Sequence, residues 1–284
     1  MKPRPQRLLV TLLGDYWRAK REHIPSTALL RLLAEFGVSA QGARSALSRL
    51  VSRGLLARSR RGRRTLYGLT AEGRSLLDEG AKRIFAFGAR RVRWRGTWSV
   101  VAFSIAETDR QRRHLLRTRL RWLTFAPLYP GVWISPHPRL EKASEVLHAL
   151  GVVDVTLFEG SVPTFAGRRR DVLAAWDLRS LRGAYLAFLA RYRPVAARLR
   201  AGRLAPAEAL VTRTRLMDEW RRFPREDPEL PEALLPRDWP RREAHALFDH
   251  LFGALAPAAE RRVAEIVKEE KSVTARAERV RSAA

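Results

Sequence analysis

Apolar positions recur with helical spacing three times within residues 5–54. The first predicted helix lies in residues 5–18, the second begins near Pro25, and the third begins after Ser39. The third helix has a single apolar stripe, which consists of Ala43, Ala46, Leu47, Leu50 and Val51. Because only a short turn joins the second and third helices, the pattern predicts a helix-turn-helix.

The opposite face of the third helix has small polar residues and arginines but no carboxylate. A solvated helix face in an ordinary protein usually has Glu/Lys pairs. Glutamine, arginine and serine instead suit hydrogen bonds to base edges in the major groove. We therefore expect base contacts from Gln41, Arg44, Ser45 and Ser48, and contacts to DNA phosphates from Ser39 and Arg49 beside them.

Two strand-like segments follow the third helix, LLARSR and RTLYGLT, and a glycine-containing turn joins them. Five arginines crowd this predicted hairpin, namely Arg58, Arg60, Arg61, Arg63 and Arg64. A helix-turn-helix followed by such a hairpin is the winged-helix arrangement, and all five arginines are predicted phosphate contacts. The alternative interpretation is a solvated basic turn.

The middle of the chain predicts strands and helices in the order β-α-β-β-α-β, which is typical of a ferredoxin-like domain. This shape resembles the small ferredoxin-like nuclease of CRISPR adaptation, in which an aspartate at the end of the first strand holds a metal. Here that strand, WSVVAFSI, ends without a carboxylate. Glu107 and Asp109 lie just beyond it, where helix capping is the favoured role and metal ligation the alternative. A metal-dependent nuclease is accordingly the alternative function.

The chain becomes predominantly helical from about residue 171. Residues 220–240 are dense in proline and predict an extended loop, because each proline removes a backbone donor and restricts the preceding residue. A helix is expected in residues 243–255, and the polar segment from residue 268 onward is expected to be a frayed tail.

These patterns predict an α+β, multidomain fold of three domains. Residues 1–95 are the expected winged helix-turn-helix DNA-binding domain. Residues 96–166 are the expected ferredoxin-like linker and dimerisation domain. Residues 167–284 are the expected helical effector and dimerisation domain with its frayed tail.

The charge of the chain indicates a polyanionic partner. Among 284 residues, 55 are Lys or Arg and 29 are Asp or Glu, which gives a formal net charge of +26. Residues 1–95 alone have 22 basic and 6 acidic residues, so the excess is concentrated in the predicted DNA-binding domain.

The residue types present narrow the possible chemistry. The chain has no cysteine, which excludes disulfides, thiol nucleophiles and cysteine-ligated metals. No apolar run is long enough for a membrane span and no signal sequence is recognisable, so we expect a cytoplasmic protein. Known catalytic and cofactor motifs are absent, and the pair His245 and Asp249 suits a surface hydrogen bond. We expect no enzyme activity, no cofactor and no metal.

Several sequence motifs resemble those of the PaaX-like (phenylacetic-acid-degradation) transcriptional regulators. The matching segments are ARSALSRLVSRGLL, YGLTAEG, WSVVAFSI, GVWISP and RRFPREDPELPEALLPRDWP, and the resemblance extends from about residue 7 to 265. Arg241 departs from the family, which usually has glycine after the last proline of this pattern.

The resemblance implies a homodimeric repressor of a phenylacetate-type catabolic operon, released from its double-stranded DNA operator by an aryl-CoA thioester such as phenylacetyl-CoA. The phosphates of such an effector need cations near an aromatic surface. The candidate effector-binding residues are Arg213, Arg215, Trp220, Arg221, Arg222 and Trp239. The alternative is that these arginines are structural and pair with Glu219, Glu226 and Asp227.

Overall fold

The computed structural model describes residues 5–88, 94–161 and 171–282. The chain forms two compact units, and neither is a continuous stretch of sequence. The first unit comprises residues 1–87, 188–222 and 243–284, and the second comprises residues 88–187 and 223–242. The domain boundaries expected after residues 95 and 166 remain predictions.

The N-terminal part of the first unit begins with three helices, interrupted by a very short strand, and continues with a hairpin and a fourth helix. The elements are α1 Pro5–Tyr16, β1 Ile24–Pro25, α2 Ser26–Ala34, α3 Ala40–Ser52, β2 Leu56–Arg61, β3 Arg64–Leu69 and α4 Ala71–Ala86. The three strands form an antiparallel sheet in the order β1-β3-β2. The sequence did not predict β1, because a two-residue strand that contains proline has no periodicity of its own.

The C-terminal part of the chain is helical. Its elements are α7 Leu178–Arg200, α8 Pro206–Trp220, the short α9 Phe223–Glu226, α10 Arg241–Ala254 and α11 Ala256–Ser282. The proline-rich segment was expected to be an extended loop, but it contains α9 and a 3-10 turn at Glu232–Leu234. The frayed tail was also expected wrongly, because α11 continues to Ser282. Alanine, glutamate, lysine and arginine are strong helix formers, and the first half of α11 packs on α8 and α2.

A hydrophobic core in the first unit joins its N-terminal and C-terminal helices. The apolar faces of α1, α2 and α3 meet in this core, and α8 and α11 contribute to it from the far end of the sequence. The residues from these two later helices are Leu210, Ala259, Val263 and Ile266. Burial of this apolar surface is the main stabilising contribution, so the N-terminal helices depend on C-terminal ones for part of their stability.

The second unit has the predicted β-α-β-β-α-β order. Its elements are β4 Trp98–Phe103, α5 Arg110–Trp122, β5 Ala126–Tyr129, β6 Val132–Ser135, α6 Leu140–Ala149 and β7 Val155–Gly160. The four strands form an antiparallel sheet in the order β5-β6-β4-β7. The two helices cover one face through Leu116, Leu120, Ala143 and Leu147. On the other face Trp98, Val100 and Ile134 pack with Val172 of the 3-10 turn Val172–Ala175.

The proline-rich segment of the second unit is ordered by a buried carboxylate. Asp227 accepts hydrogen bonds from the Tyr185 hydroxyl and from the Glu229 backbone N–H, both at 2.6 Å. Arg241 lies 3.3 Å from the same carboxylate and donates to the Leu230 carbonyl oxygen at 2.8 Å. The residue that departs from the family pattern therefore has a defined structural role here, which is to fix the end of this segment.

Candidate nucleic-acid interface

The four predicted base-contacting residues lie on one face of α3. The apolar stripe of the helix is buried as expected at Ala43, Ala46, Leu47 and Leu50. On the other side Gln41, Arg44 and Ser48 are exposed and Ser45 is half-buried. Because these positions follow the i, i+3, i+4, i+7 spacing, their side chains form a continuous strip along the helix.

The N-terminus of α3 is capped by Ser39, whose side chain accepts a hydrogen bond from the Gly42 N–H at 3.2 Å. The serine is exposed and lies where the partial positive charge of the helix is greatest. At the other end of the helix Arg49 is also exposed. Both predicted phosphate contacts therefore lie next to the strip of polar residues.

The five predicted phosphate-contacting arginines of the hairpin lie on β2, on β3 or in the turn that joins them. Arg61 is paired with Arg64, and the turn between them consists of Gly62, with a φ of 60°, and Arg63. Arg64 is half-buried, and the other four arginines are exposed. Residues 36–71 contain eight arginines and no Asp or Glu, so the local charge of α3 and the hairpin is uniformly positive.

The hairpin is rigidly attached to α3. The Leu55 N–H donates to the Leu50 carbonyl oxygen at 2.9 Å, and the Thr70 hydroxyl donates to the Gly54 carbonyl oxygen at 2.6 Å. Thr70 also accepts from the Gly73 N–H and so caps α4. A Cβ atom at Gly73 would lie 2.2 Å from the Leu55 carbonyl oxygen, so only glycine permits this approach. Thr70 and Gly73 belong to the motif YGLTAEG, but the motif alone did not predict this role for them.

The arginines of this surface are available to an external anion. Among the side chains that the structure describes, no carboxylate forms an ion pair with Arg44, Arg49, Arg58, Arg60, Arg61 or Arg63. A cation without a protein partner on a convex basic surface attracts phosphate groups and releases their counterions on binding. The arrangement is therefore suited to a nucleic-acid backbone.

In the second unit, one of the two candidate carboxylates beyond the first strand caps a helix. Asp109 accepts a hydrogen bond from the Arg112 N–H at 3.1 Å and is the N-cap of α5, which confirms the capping interpretation. Glu107 lies in the preceding turn. In the described part of the chain, no group of three His, Asp or Glu residues is arranged to hold a metal ion.

The six candidate effector-binding residues are divided between the two units. Trp239 belongs to the second unit, and the other five belong to the first. Arg215 and Arg222 are exposed and Arg221 is half-buried, but Arg213 and Trp220 are buried in the core of their unit. The sequence alone did not predict this burial, because arginines next to aromatic residues occur both in protein cores and in binding sites.

Arg213 and Trp220 are both engaged within the protein. Arg213 donates to the Phe252 carbonyl oxygen at 3.1 Å, and its guanidinium carbon lies 3.8 Å from the centre of the Phe252 ring. Trp220 stacks on Phe248 with ring centroids 4.6 Å apart. Of the acids considered as alternative partners, Glu219 pairs with Arg191 and Asp227 with Arg241.

His245 and Asp249 do form the predicted pair on α10, with 3.1 Å between Nδ1 and the carboxylate oxygen. Of the helices that the structure describes, none combines the length and the apolar character needed to span a bilayer.

Models of one protein family match three consecutive segments of this chain. Residues 4–73 match the PaaX-like protein model, residues 91–172 match the PaaX protein central Cas2-like domain, and residues 176–265 match the PaaX-like protein C-terminal domain. The fold is thus a mixed helix and sheet fold of several domains with a Cas2-like central domain.

Similar proteins extend over most of the chain. The Escherichia coli (strain K12) protein named transcriptional repressor PaaX is 32% identical over 259 residues, which cover 89% of this chain and 80% of that protein. A solved structure, the uncharacterized protein Rv0674 from Mycobacterium tuberculosis, has a TM-score of 0.57 and 25% sequence identity, covering 88% of this chain and 94% of that one. By its three family-model matches and its similarity to this repressor, the chain belongs to the PaaX-like family.

Proposed function

We propose that this protein is a DNA-binding transcriptional repressor of an aromatic-acid catabolic operon of the phenylacetate type. One observation carries the proposal: an exposed helix face without carboxylates lies beside an arginine-rich hairpin. The similarity to a protein named transcriptional repressor PaaX supports it further. The protein is expected to be cytoplasmic and to have no enzyme activity.

The N-terminal elements α2, α3, β2 and β3 are proposed to form a winged helix-turn-helix. Helix α3 would enter the major groove, which admits an α-helix, and would place Gln41, Arg44, Ser45 and Ser48 against the bases. Arginine makes bidentate hydrogen bonds to guanine and glutamine to adenine, so these two residues would contribute most of the sequence discrimination.

The hairpin and the flanks of α3 are proposed to contact the sugar–phosphate backbone. The residues assigned to this role are Ser39, Arg49, Arg58, Arg60, Arg61, Arg63 and Arg64. Contacts of this kind orient the protein on the duplex and supply affinity that depends on salt, whereas base contacts supply specificity.

The repressor is proposed to act as a homodimer. One recognition helix contacts too few base pairs to distinguish an operator from the roughly 10⁶–10⁹ competing sites in a genome. Dimer contacts are assigned to residues 96–166 and 167–284, and residues 1–95 to DNA binding. An aryl-CoA thioester such as phenylacetyl-CoA is the proposed effector that releases the operator.

The test is selection of binding sites by the purified full chain from a randomised duplex library. We expect enrichment of a two-fold symmetric site with half-sites about 10 base pairs apart or a multiple of that spacing. We also expect binding about 10³-fold or more tighter than to unrelated duplex. Absence of enrichment, or magnesium-dependent cleavage of the duplex, would contradict the proposal.

A further inference from the structure

Helix α5 of the second unit has a strongly basic surface that lies outside the DNA contacts assigned above. Its 13 residues include six arginines and one histidine but no aspartate or glutamate. Leu116 and Leu120 are the buried residues of the helix and pack in the core of the unit. Because the apolar stripe of the helix faces this core, most of the basic residues lie on the other faces.

Four of the basic residues form one strip along α5, called here the α5 strip. Arg110, His114, Arg117 and Arg121 have the spacing i, i+4, i+7, i+11, which places their side chains on one side of the helix. Arg117 is half-buried and the other three are exposed. At about 1.5 Å of rise per residue, the strip is roughly 16 Å long. One phosphate ion cannot contact both ends of it, so the strip suits a polyanion.

The arginines of the α5 strip have no ionic partner in the protein. In the part of the chain that the structure describes, no carboxylate forms an ion pair with Arg110, Arg117 or Arg121. The guanidinium carbon of Arg121 lies 5.4 Å from the centre of the Trp133 ring, which orients this side chain. Asp109, the N-cap of the helix, pairs instead with Arg112 at 3.0 Å. The charge of the strip is therefore available at the surface.

The same arginines are electrostatically unfavourable for the helix itself. Arg113, Arg117 and Arg121 succeed one another at intervals of four residues, and like charges at this spacing repel. Arg110 begins the helix, where the helix dipole favours negative charge, and only Arg121 lies in the last turn, where the dipole favours positive charge. Helix stability alone therefore does not account for the strip, and a bound polyanion would relieve the repulsion.

Among polyanions, duplex nucleic acid fits the α5 strip best. A membrane-surface helix inserts its apolar face into the bilayer, but the apolar face of α5 is buried in the protein. Single strands stack on several aromatic side chains, whereas the one tryptophan, tyrosine or phenylalanine of α5 is Trp122. Phosphates of one strand of a duplex follow one another at about 3.4 Å along its axis, so the strip spans about five of them.

We propose that the α5 strip contacts the sugar–phosphate backbone of duplex DNA and is a second DNA-binding surface of this protein, in addition to α3 and the hairpin. Contacts of arginine with phosphate supply affinity without base discrimination. The choice of DNA as the ligand rests on the proposed function. The inference adds a DNA contact to residues 96–166, which are assigned above to dimerisation.

The test compares two triple variants of the full chain that lose the same charge. Glutamine replaces arginine in both, because it is uncharged and a strong helix former. The control positions are exposed arginines of the same unit outside α5. The α5 variant combines Arg110→Gln, Arg117→Gln and Arg121→Gln, and the matched control combines Arg179→Gln, Arg225→Gln and Arg237→Gln.

Affinity for the duplex selected by the unmodified chain is measured at several salt concentrations. The α5 variant should reduce the slope of log affinity against log salt by about two to three and should bind about tenfold or more weakly at low salt. Its preference among single-base variants of the duplex should not change. The control should bind within about twofold of the unmodified chain. Equal slopes for all three proteins, or an equal reduction in both variants, would refute the proposal.

A stability measurement separates binding from a structural role. Because the substitutions remove repulsion, the α5 variant should unfold at the same denaturant concentration as the unmodified chain or at a higher one. If the triple variant is less stable, Arg110→Gln alone takes its place, at the exposed first residue of the helix. This single variant should reduce the salt slope by about one, and an unchanged slope would refute the proposal.

Failure of this inference can be distinguished from failure of the proposed function. If the unmodified chain selects no sequence, the three proteins are compared on an arbitrary duplex. Weaker binding there by the α5 variant alone would support the strip and overturn the sequence-specific repressor. Sequence selection without an effect of the α5 variant would have the opposite meaning. Loss of binding to phosphatidylserine vesicles in the α5 variant, without a change in DNA affinity, would assign the strip to a membrane and also refute the inference.

Discussion

The arginines of the α3–hairpin surface and those of the C-terminal helices differ in their partners. Residues 36–71 contain eight arginines and no carboxylate, and six of the exposed arginines form no ion pair within the described residues. In α7 and α11, by contrast, Arg191, Arg198 and Arg262 each pair with a glutamate. The same residue type therefore serves two purposes. Paired arginines connect elements within the protein, and arginines without ion-pair partners leave their charge available at the surface.

This difference shows why net charge alone is a weak guide to an interface. The formal charge of +26 belongs to the whole chain, but the arrangement of the acids decides where that charge is available. The absence of carboxylates from residues 36–71 is the more informative feature, because arginines elsewhere in the chain, such as Arg191, Arg198 and Arg262, have glutamate partners.

The largest expected effect is on the stability of the protein, and it concerns a buried arginine. Arg213→Ala removes the cation next to the buried Asp15 carboxyl group and its contact with the Phe252 ring. We expect a loss of about 3–5 kcal/mol in the free energy of unfolding, because the truncation leaves a cavity in the core and removes the cation that stabilises the charged form of Asp15. Denaturant titration measures it. A loss below about 1 kcal/mol would mean that Arg213 contributes no more to stability than an exposed arginine does.

The next effect is on sequence discrimination. Arg44→Ala should cost about 1–3 kcal/mol of binding free energy at one or two base pairs of the selected duplex and should leave non-specific binding and stability unchanged. Titrations against single-base variants of the duplex measure it. Arg53→Ala, at the exposed C-cap of α3, is the control and should not change base preference. A uniform loss for every duplex would remove Arg44 from the base-contacting set.

The buried carboxyl group should make stability depend on pH. The pKa of Asp15 is raised from 3.8 to about 7, so the native state favours the protonated form. The stabilising contribution of the protonated Asp15 side chain is fully present below pH 4 and is lost as the pH rises from about 4 to 7. Compared with Asp15→Asn, which stays neutral, the unmodified chain should lose about 1–3 kcal/mol of stability between pH 5 and 8. Parallel pH profiles for the two proteins would contradict this assignment.

The hairpin should contribute affinity without discrimination. Arg61→Ala together with Arg63→Ala should weaken binding to every duplex and should reduce the slope of log affinity against log salt by about one for each lost phosphate contact. Filter binding at several salt concentrations measures the slope. If the slope stays the same, the hairpin does not contact phosphate and the solvated-turn interpretation is correct.

The smallest effect is expected for a paired surface arginine. Arg198 and Glu208 form an exposed ion pair between α7 and α8. Arg198→Ala should change the free energy of unfolding by about 0–1 kcal/mol and should leave DNA affinity and its salt dependence unchanged. If Arg198→Ala reduces the salt slope as much as the hairpin variant does, an arginine that is ion-paired within the protein also contacts phosphate, and the proposed difference between paired and unpaired arginines is wrong.

The elements predicted from the sequence are those that local patterns determine. The apolar stripe of α3, its cap at Ser39 and the arginine hairpin follow from residues close together in the chain, and so does the β-α-β-β-α-β order. A helical or strand period specifies which face of an element is buried, because the geometry of the element repeats every few residues. All residues of the candidate DNA interface lie on elements that such local patterns predict.

Only the tertiary structure determined which distant residues meet. Arg7 and Asp218 are 211 positions apart and pair at 2.6 Å, and Val263 and Ile266 complete a core begun by α1 and α2. Arg213 and Trp220, which the sequence suggested as effector contacts, are buried against Phe252 and Phe248 of α10, and residues of α1 and α11 line a common cavity beside Asp15 only because the chain folds back. The physical reason is that burial, ion pairing and cavities depend on the docking of whole elements, and the periodicity of one segment does not specify its partner in the folded chain.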